Sequence, residues 1–326
     1  KGYNGIKLCL AGAAPVGAES GLVEIQSSAD SSDVPETLTG GYRNEDIVDA
    51  YVDHVLRVSG AASISGLRIG IDGGNGVAGV MIPSIFERID AGLIGLFLDP
   101  DGTFPNHHPD PLRPENLVDL TSLMMREKPD LGVAFDGDAD RAFFIDDLGE
   151  PLPGSTVTAM LASWFLSEAP GATIVHNLIC SRAVPEAIVA AGGTPVRTRV
   201  GHSYIKDNFR ADSGILAMLV LMRLVAEADE PLSKLRTAYE PYSQSGEINM
   251  TVADTGAEIE RVAGEYEAVD RLDGLTVDLG DRWFNLRPSN TEPVLRLNVE
   301  APNRKEVERL VAEVRGYIQE VDRDGS

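Results

Sequence analysis

The sequence predicts an α/β protein: consecutive mixed-sheet α/β domains, closed by a C-terminal α+β domain. Three observations carry that expectation. Apolar segments of strand length alternate with apolar-faced segments of helical length from Asn44 to Ala228, the order of βαβ units. The strand-like Leu67-Arg68-Ile69-Gly70-Ile71-Asp72 runs straight into Gly73-Gly74-Asn75-Gly76-Val77-Ala78-Gly79 and an apolar stretch, which is the strand, glycine turn and helix of such a unit. After Pro231 the character changes to strands with period-two alternation and one closing amphipathic helix.

The elements follow in order. Residues 3–10 read as a strand with a turn at Asn4-Gly5, and Gly21 to Gln26 can open a helix. Residues 27–41 have linker composition. Ile47, Val48, Tyr51, Val52, Val55 and Leu56 recur at helical spacing behind Asn44, an expected N-cap. Strands are expected at 67–72, 93–98, 131–135 and 142–146, with helices after Gly79 and at 115–125. A second block reads as helix 156–166, strand 173–178, helix 183–191, strand 195–200 and the apolar helix 213–228. Strands at 248–252, 274–279, 283–286 and 294–300 follow. The last helix carries Val307, Leu310, Val311, Val314 and Ile318 on one face, behind a capping box of Asn303 and Glu306.

Composition narrows the function classes. The 326 residues hold 28 Lys+Arg against 51 Asp+Glu, a formal charge of −23. That balance argues against nucleic acid as a partner, but a small anion needs only a few local cations. Hydrophobic residues make up 43%, enough for packed cores. Cys9 and Cys180 form no disulfide or zinc pattern. The longest apolar stretch, Ile215 to Val225, is interrupted by Arg223 and falls short of the ~20 residues a membrane span needs. A soluble cytoplasmic protein without a membrane partner is expected.

The most informative segment is Asp136-Gly137-Asp138-Ala139-Asp140-Arg141. Alternate carboxylates in a curled loop between apolar strands can aim three oxygens at one hard cation; without it they repel one another. A solvated acidic turn is the bland alternative. An EF-hand-type loop fits poorly, since Arg141 stands at its sixth position and Asp147 at its twelfth. A phosphatase with an Asp136/Asp138 pair is a third reading. The second constellation, Arg287-Pro288-Ser289-Asn290-Thr291-Glu292-Pro293-Val294-Leu295-Arg296, frames neutral donors with two guanidiniums, the groups a phosphate requires, although a polar β-turn has the same composition. Arg199-Val200-Gly201-His202-Ser203-Tyr204-Ile205-Lys206 offers His202 and Lys206 at a strand end. The Gly73–Gly79 run is not a Walker loop, and close helix–strand packing accounts for its glycines as well as phosphate binding does. His107-His108 reads as a structural loop, and His54 and His176 as structural residues.

Taken in order, these segments, with Tyr3-Asn4-Gly5-Ile6-Lys7 and Phe104-Pro105-Asn106-His107-His108-Pro109, resemble the α-D-phosphohexomutase family, the phosphomannomutase/phosphoglucomutase enzymes, most closely those of actinobacterial type. The resemblance spans essentially the whole chain. It implies four domains around a central cleft: residues 1–43 as a remnant of the phosphoserine domain, 44–151 as the metal-binding domain, 152–238 as the sugar-binding domain and 239–326 as the phosphate-binding domain. It implies reversible phosphoryl transfer between the 6- and 1-positions of mannose or glucose phosphates, through a phosphoserine and a hexose 1,6-bisphosphate that also serves as activator. Asp136, Asp138 and Asp140 would bind Mg²⁺. Lys7 and Arg141 would flank the reacting phosphoryl group. His202 and Lys206 would meet the sugar phosphate, and Arg287, Ser289, Asn290, Thr291 and Arg296 would hold the phosphate that is not transferred.

The chain also departs from that pattern. The family's serine loop precedes its Tyr-Asn-Gly-Ile-Lys strand, and a Gly-Glu-His-Ser-Gly-His loop follows its Gly-His-x-x-Ile-Lys segment. The first is expected to lie ahead of Lys1 and the second to be missing at the join of Lys206 and Asp207. Ile179 stands where many relatives carry Lys before Cys180-Ser181-Arg182, which weakens a substrate role for Arg182. Asn290 favours the phosphomannomutase/phosphoglucomutase branch over the amino-sugar mutases. A non-catalytic metal- or phosphate-binding module and a Mg²⁺-dependent sugar phosphatase are the alternatives, and the oligomeric state is left open.

Overall fold

The structure is a computed structural model; it describes residues 8–17, 20–31, 40–200, 213–228, 230–267, 269–289 and 294–320. The chain divides into two compact units, residues 1–152 with 206–233, and residues 153–205 with 234–326.

In the first unit, β1 (Cys9–Leu10) and β2 (Ala14–Pro15) form a short antiparallel pair, and α1 (Leu22–Ser31) buries none of its residues. Then come α2 (Val48–Ser59), β3 (Ser65–Asp72), α3 (Ala78–Phe86), β4 (Asp90–Leu96), α4 (Val118–Glu127), β5 (Leu131–Phe135) and β6 (Ala142–Ile145). The helix expected behind Asn44 starts later. Ile47 occupies the N-cap position without a side-chain bond, and the Asp46 carboxylate accepts the Val48 N–H at 3.0 Å instead. The sheet order is β4-β3-β5-β6, with β3 parallel to both β4 and β5 and β6 antiparallel to β5. Every residue of β5 is buried, as an apolar run in a covered strand requires.

The apolar helix α7 (Gly214–Glu227) departs from the sequence reading, which assigns it to the second α/β block. It packs against α2, β3, β5 and β6 of the first unit. Its apolar residues surround the helix axis and seven of its residues are buried, so it needs cover on more than one side. The space between α2 and the sheet supplies that cover. Close approach also fixes its start: a side chain at Gly214 would meet the Arg141 carbonyl carbon at 2.8 Å. Gly79 in α3 is tighter still, with a Cβ falling 1.6 Å from the Leu98 carbonyl oxygen. Gly79→Ala is expected to destabilise the protein by about 2 kcal/mol, read as a lower urea midpoint at unchanged slope.

In the second unit, α5 (Gly154–Glu168) and α6 (Ala183–Ala190) pack beside the parallel pair β7 (Thr173–Asn177) and β8 (Thr194–Thr198). The chain enters its C-terminal part through α8 (Leu232–Leu235). There β9 (Ser243–Thr251), β10 (Leu275–Asp278), β11 (Trp283–Pro288) and β12 (Val294–Ala301) form an antiparallel sheet of order β10-β11-β12-β9. The helices α9 (Thr255–Ala263) and α10 (Arg304–Gly316) cover it, and Phe284, Leu286, Leu297, Val307 and Leu310 fill the core. The Asn303 side chain caps α10 by accepting the Glu306 N–H at 3.1 Å. Glu306 faces Arg282 and Arg309.

One buried carboxylate ties this unit together. Glu300 of β12 is 2% exposed and accepts three hydrogen bonds: from Trp283 Nε1 at 2.8 Å, from the Arg182 backbone N–H at 3.1 Å and from Gln244 Nε2 at 3.2 Å. The Arg182 guanidinium reaches the Gly280 carbonyl at 2.5 Å and Asp278 at 2.6 Å. Arg182 therefore joins parts of the fold.

Candidate active site

The parallel strands β3, β4 and β5 deliver three loops to one edge of their sheet. The chain runs from β3 to β4 on one side and returns to β5 on the other, so the loops after β3 and β5 meet at the switch point where α/β sheets bind ligands. They touch there. A Cβ on Gly76 would lie 2.7 Å from the Gly137 carbonyl oxygen, and the Val77 N–H donates to that oxygen at 3.0 Å. Close packing thus accounts for Gly76.

The loop after β5 gathers its acids. Ala139 adopts a left-handed φ of 58° and its N–H donates to the Asp136 carbonyl at 3.1 Å. That curl brings one oxygen each of Asp136, Asp138 and Asp140 within 4.8 Å of one another, the span of oxygens around one hard cation, ~4–5 Å. Arg141 is tethered at the rim. Its backbone N–H donates to Asp136 Oδ1 at 3.1 Å and its Nε to Asp136 Oδ2 at 2.7 Å, with Asp140 Oδ1 3.6 Å away. Burial pushes the Asp136 carboxyl above the ordinary carboxylate range; the hydrogen bonds and charge of Arg141 oppose the rise, and Asp140 adds to it. Burial alone would lower the Arg141 pKa, but Asp136, Asp140 and Asp110 hold the guanidinium above its usual value. Three carboxylates against one guanidinium leave a formal charge of −2, and the donors are all hard oxygens, so the residues fit a divalent cation of the Mg²⁺ or Ca²⁺ type.

A second set of contacts braces the glycine turn. Asp72, 1% exposed at the end of β3, accepts the Gly74 N–H at 2.8 Å, and its other oxygen lies 3.0 Å from His107 Nε2. His107 Nδ1 is 3.0 Å from the His108 carbonyl. Both ring nitrogens therefore face acceptors, which favours the doubly protonated ring. Burial lowers the His107 pKa, but the His108 carbonyl and Asp72 outweigh it and the net direction is up. Asp72 is also raised, chiefly by burial, so its charge is costly without its partner. A raised histidine pKa contributes stability that is complete below the unfolded value of about 6.5 and is lost as pH rises through the folded pKa. Urea denaturation should accordingly find wild type ahead of His107→Gln at about pH 6, with the gap shrinking by about pH 8.5.

The Arg287 segment belongs to the second unit. Arg287 on β11 lies directly opposite Arg296 on β12. Arg287, 3% exposed, donates to Glu247 Oε2 at 2.7 Å, and Arg296 sits 3.3 Å from Glu247 Oε1. One carboxylate thus serves two guanidiniums. The Arg287 Nε is buried without a hydrogen-bond partner among the described residues. The Ser289 N–H donates to the Val294 carbonyl at 2.9 Å, holding the ends of β11 and β12 together. An anion-binding corner has these components. Lys7, His202, Lys206, Asn290 and Thr291 lie outside the described residues. Asp72 and Glu247 take no part in the sequence reading of the site. An acid ending an apolar strand just before a glycine turn was the available signal for Asp72, whereas Glu247 had none.

Comparison with known proteins assigns the chain to relatives along most of its length. The family descriptions that match are "Phosphoglucomutase/phosphomannomutase, alpha/beta/alpha domain II" over residues 49–149, "alpha/beta/alpha domain III" over 153–212 and "C-terminal domain" over 247–316. The phosphomannomutase of Salmonella montevideo is 38% identical over 333 residues, covering 92% of this chain and 73% of that protein. The phosphomannomutase of Methanocaldococcus jannaschii is 31% identical, covering 98% of this chain and 77% of that protein. The crystal structure of a phosphoglucomutase/phosphomannomutase family protein from Burkholderia thailandensis superimposes with a TM-score of 0.78 at 28% identity, covering 91% of this chain and 68% of that one. Among the described residues no helix is long and apolar enough to cross a membrane.

Proposed function

The chain belongs to the phosphoglucomutase/phosphomannomutase family and is a hexose phosphate mutase, and from that premise we propose that it interconverts the 6- and 1-phosphates of mannose or glucose with Mg²⁺ at Asp136, Asp138 and Asp140 and a hexose 1,6-bisphosphate as activator. The observation that carries this reading is the acid loop, three carboxylate oxygens within 4.8 Å at the carboxyl end of a parallel strand. Mg²⁺, when bound, supplies positive charge against the charge that develops on the transferring phosphoryl oxygens.

The chain's own residues do the rest. Asp136 anchors Arg141 through Nε, and no hydrogen bond among the described residues engages the terminal guanidinium nitrogens. Those nitrogens serve the reacting phosphoryl group. Arg287 and Arg296, which share Glu247, hold the phosphate at the other end of the sugar. A phosphate there accepts from the guanidiniums, and its binding energy goes into orientation. Ser289, Asn290 and Thr291 add neutral donors, which suit a phosphate site that accepts either end of a bisphosphate. Lys7 neutralises charge or carries the proton at the transferred group, and His202 and Lys206 contact the sugar phosphate.

The test is a coupled assay of mannose 1-phosphate and glucose 1-phosphate conversion on the full-length enzyme, with and without glucose 1,6-bisphosphate. Mg²⁺-dependent isomerisation stimulated by the bisphosphate is expected. Inorganic phosphate released in amounts comparable to isomerised sugar would replace the mutase mechanism with hydrolysis. No turnover in the presence of Mg²⁺ would favour a binding module.

A further inference from the structure

The loop after β4 grips the glycine turn with more bonds than a connecting loop requires. The turn places two successive residues in the left-handed region, Gly74 at φ 53° and Asn75 at φ 56°. That geometry is natural for glycine and tolerated by asparagine, but it needs support. Asn75 receives it at every polar group. Its N–H donates to the Phe97 carbonyl at 2.8 Å, its Nδ2 to the Asp99 carbonyl at 2.8 Å, its Oδ1 accepts from Asn106 Nδ2 at 2.8 Å, and its carbonyl accepts the Asp101 N–H at 2.9 Å. His107, next in sequence, holds Asp72, which holds the Gly74 N–H. The His107 ring also packs edge-on against Phe97, with centroids 5.4 Å apart.

Beyond the turn, the three atoms nearest to a Cβ on Gly76 all belong to Gly137, the residue between Asp136 and Asp138. The Val77 N–H fixes the Gly137 carbonyl. The acid loop's own backbone bonds are no shorter: Asp136 N–H to the Arg141 carbonyl spans 3.4 Å and Ala139 N–H to the Asp136 carbonyl 3.1 Å. The residue between Asp136 and Asp138 thus rests on a surface supplied by the turn.

We propose that Asn106 and His107 are positioning residues for cation binding: they lock the Gly74–Gly76 turn, and the turn sets the separation of the Asp136 and Asp138 carboxylates through Gly137. This inference rests on the cation reading of the acid loop. A metal site's supporting partners, when removed, cost ten- to a hundredfold in affinity, and a support acting through one further residue falls at the low end, about tenfold.

The experiment titrates Mn²⁺, as a spectroscopic stand-in for Mg²⁺, into the whole enzyme and reads free Mn²⁺ by electron paramagnetic resonance. Asn106→Ala and His107→Ala should each weaken Mn²⁺ binding about tenfold, with His107→Gln intermediate because its amide still donates to Asp72. Wild-type affinity in Asn106→Ala and His107→Gln would overturn the inference. Asn106 is exposed, so its truncation leaves the core alone and decides the matter even if His107→Ala melts early. Asp138→Ala separates the two levels: if it binds Mn²⁺ as wild type does, the cation reading itself falls.

Discussion

Asp138→Ala should lower mutase turnover by at least ~10³-fold, while the melting temperature stays within a few degrees of wild type. The two halves of that expectation have different causes. Asp138 is the exposed member of the acid cluster and Asp136 the buried one. Truncating Asp138 opens no cavity and removes one of three mutually repelling charges, so folding has little to lose. Cation binding has much to lose, because two remaining carboxylates beside Arg141 form a site of formal charge −1. A metal ion's stabilisation of a phosphoryl transition state is worth several kcal/mol, which is the ~10³-fold. The coupled assay at saturating Mg²⁺ and a thermal melt of the same preparation measure both halves. Near-normal turnover would remove the acid loop from the mechanism. Lost turnover with a lost melting transition would make Asp138 a folding residue.

Arg287→Ala should reduce kcat/KM by about 10²- to 10³-fold for mannose and glucose phosphates alike, the cost of removing a preorganised donor from a site of developing charge. Glu247 keeps Arg296 at 3.3 Å in this variant, so its carboxylate is not stranded. Arg287→Lys sharpens the expectation. It restores a charge but not the planar fork that matches phosphate oxygens, and about a tenfold deficit should remain. Equal losses for both sugars are the informative part, since a residue gripping the spectator phosphate has no view of the 2-hydroxyl that distinguishes mannose from glucose. A loss confined to one sugar would move Arg287 from phosphate binding to sugar recognition.

The fold was legible where local pattern and tertiary environment agree. Leu131–Phe135, an unbroken apolar run, became a strand buried along its length, and the Asn303 cap closed on Glu306 where expected. The acid loop was legible because its three carboxylates are close in sequence, so a single turn at Ala139 unites them. What escaped depends on distance along the chain. His107 meets Asp72 across 35 residues and Arg287 meets Glu247 across 40. The apolar all-round α7 announced a need for cover, but its sequence neighbours did not name the sheet that supplies it. Helix α9 has no counterpart in the sequence reading despite Ile259, Val262 and Ala263 at helical spacing; the Asp254 side chain caps it by accepting the Ala257 N–H at 3.0 Å.

Glu300 sets the cooperativity of the second unit. Its three donors come from the start of α6, from β9 and from β11, so none of these elements can detach without leaving a buried carboxylate short of a partner, at ~1–3 kcal/mol per lost bond. The module of α5, β7, α6 and β8 is thereby committed to the stability of the C-terminal sheet. In native-state hydrogen exchange, the amide of Arg182 and those of β11 should open together, as one foldon, at the same free energy and with the same denaturant slope. Severing the chain near Leu232 would then yield two fragments that must reassociate to regain either half's protection.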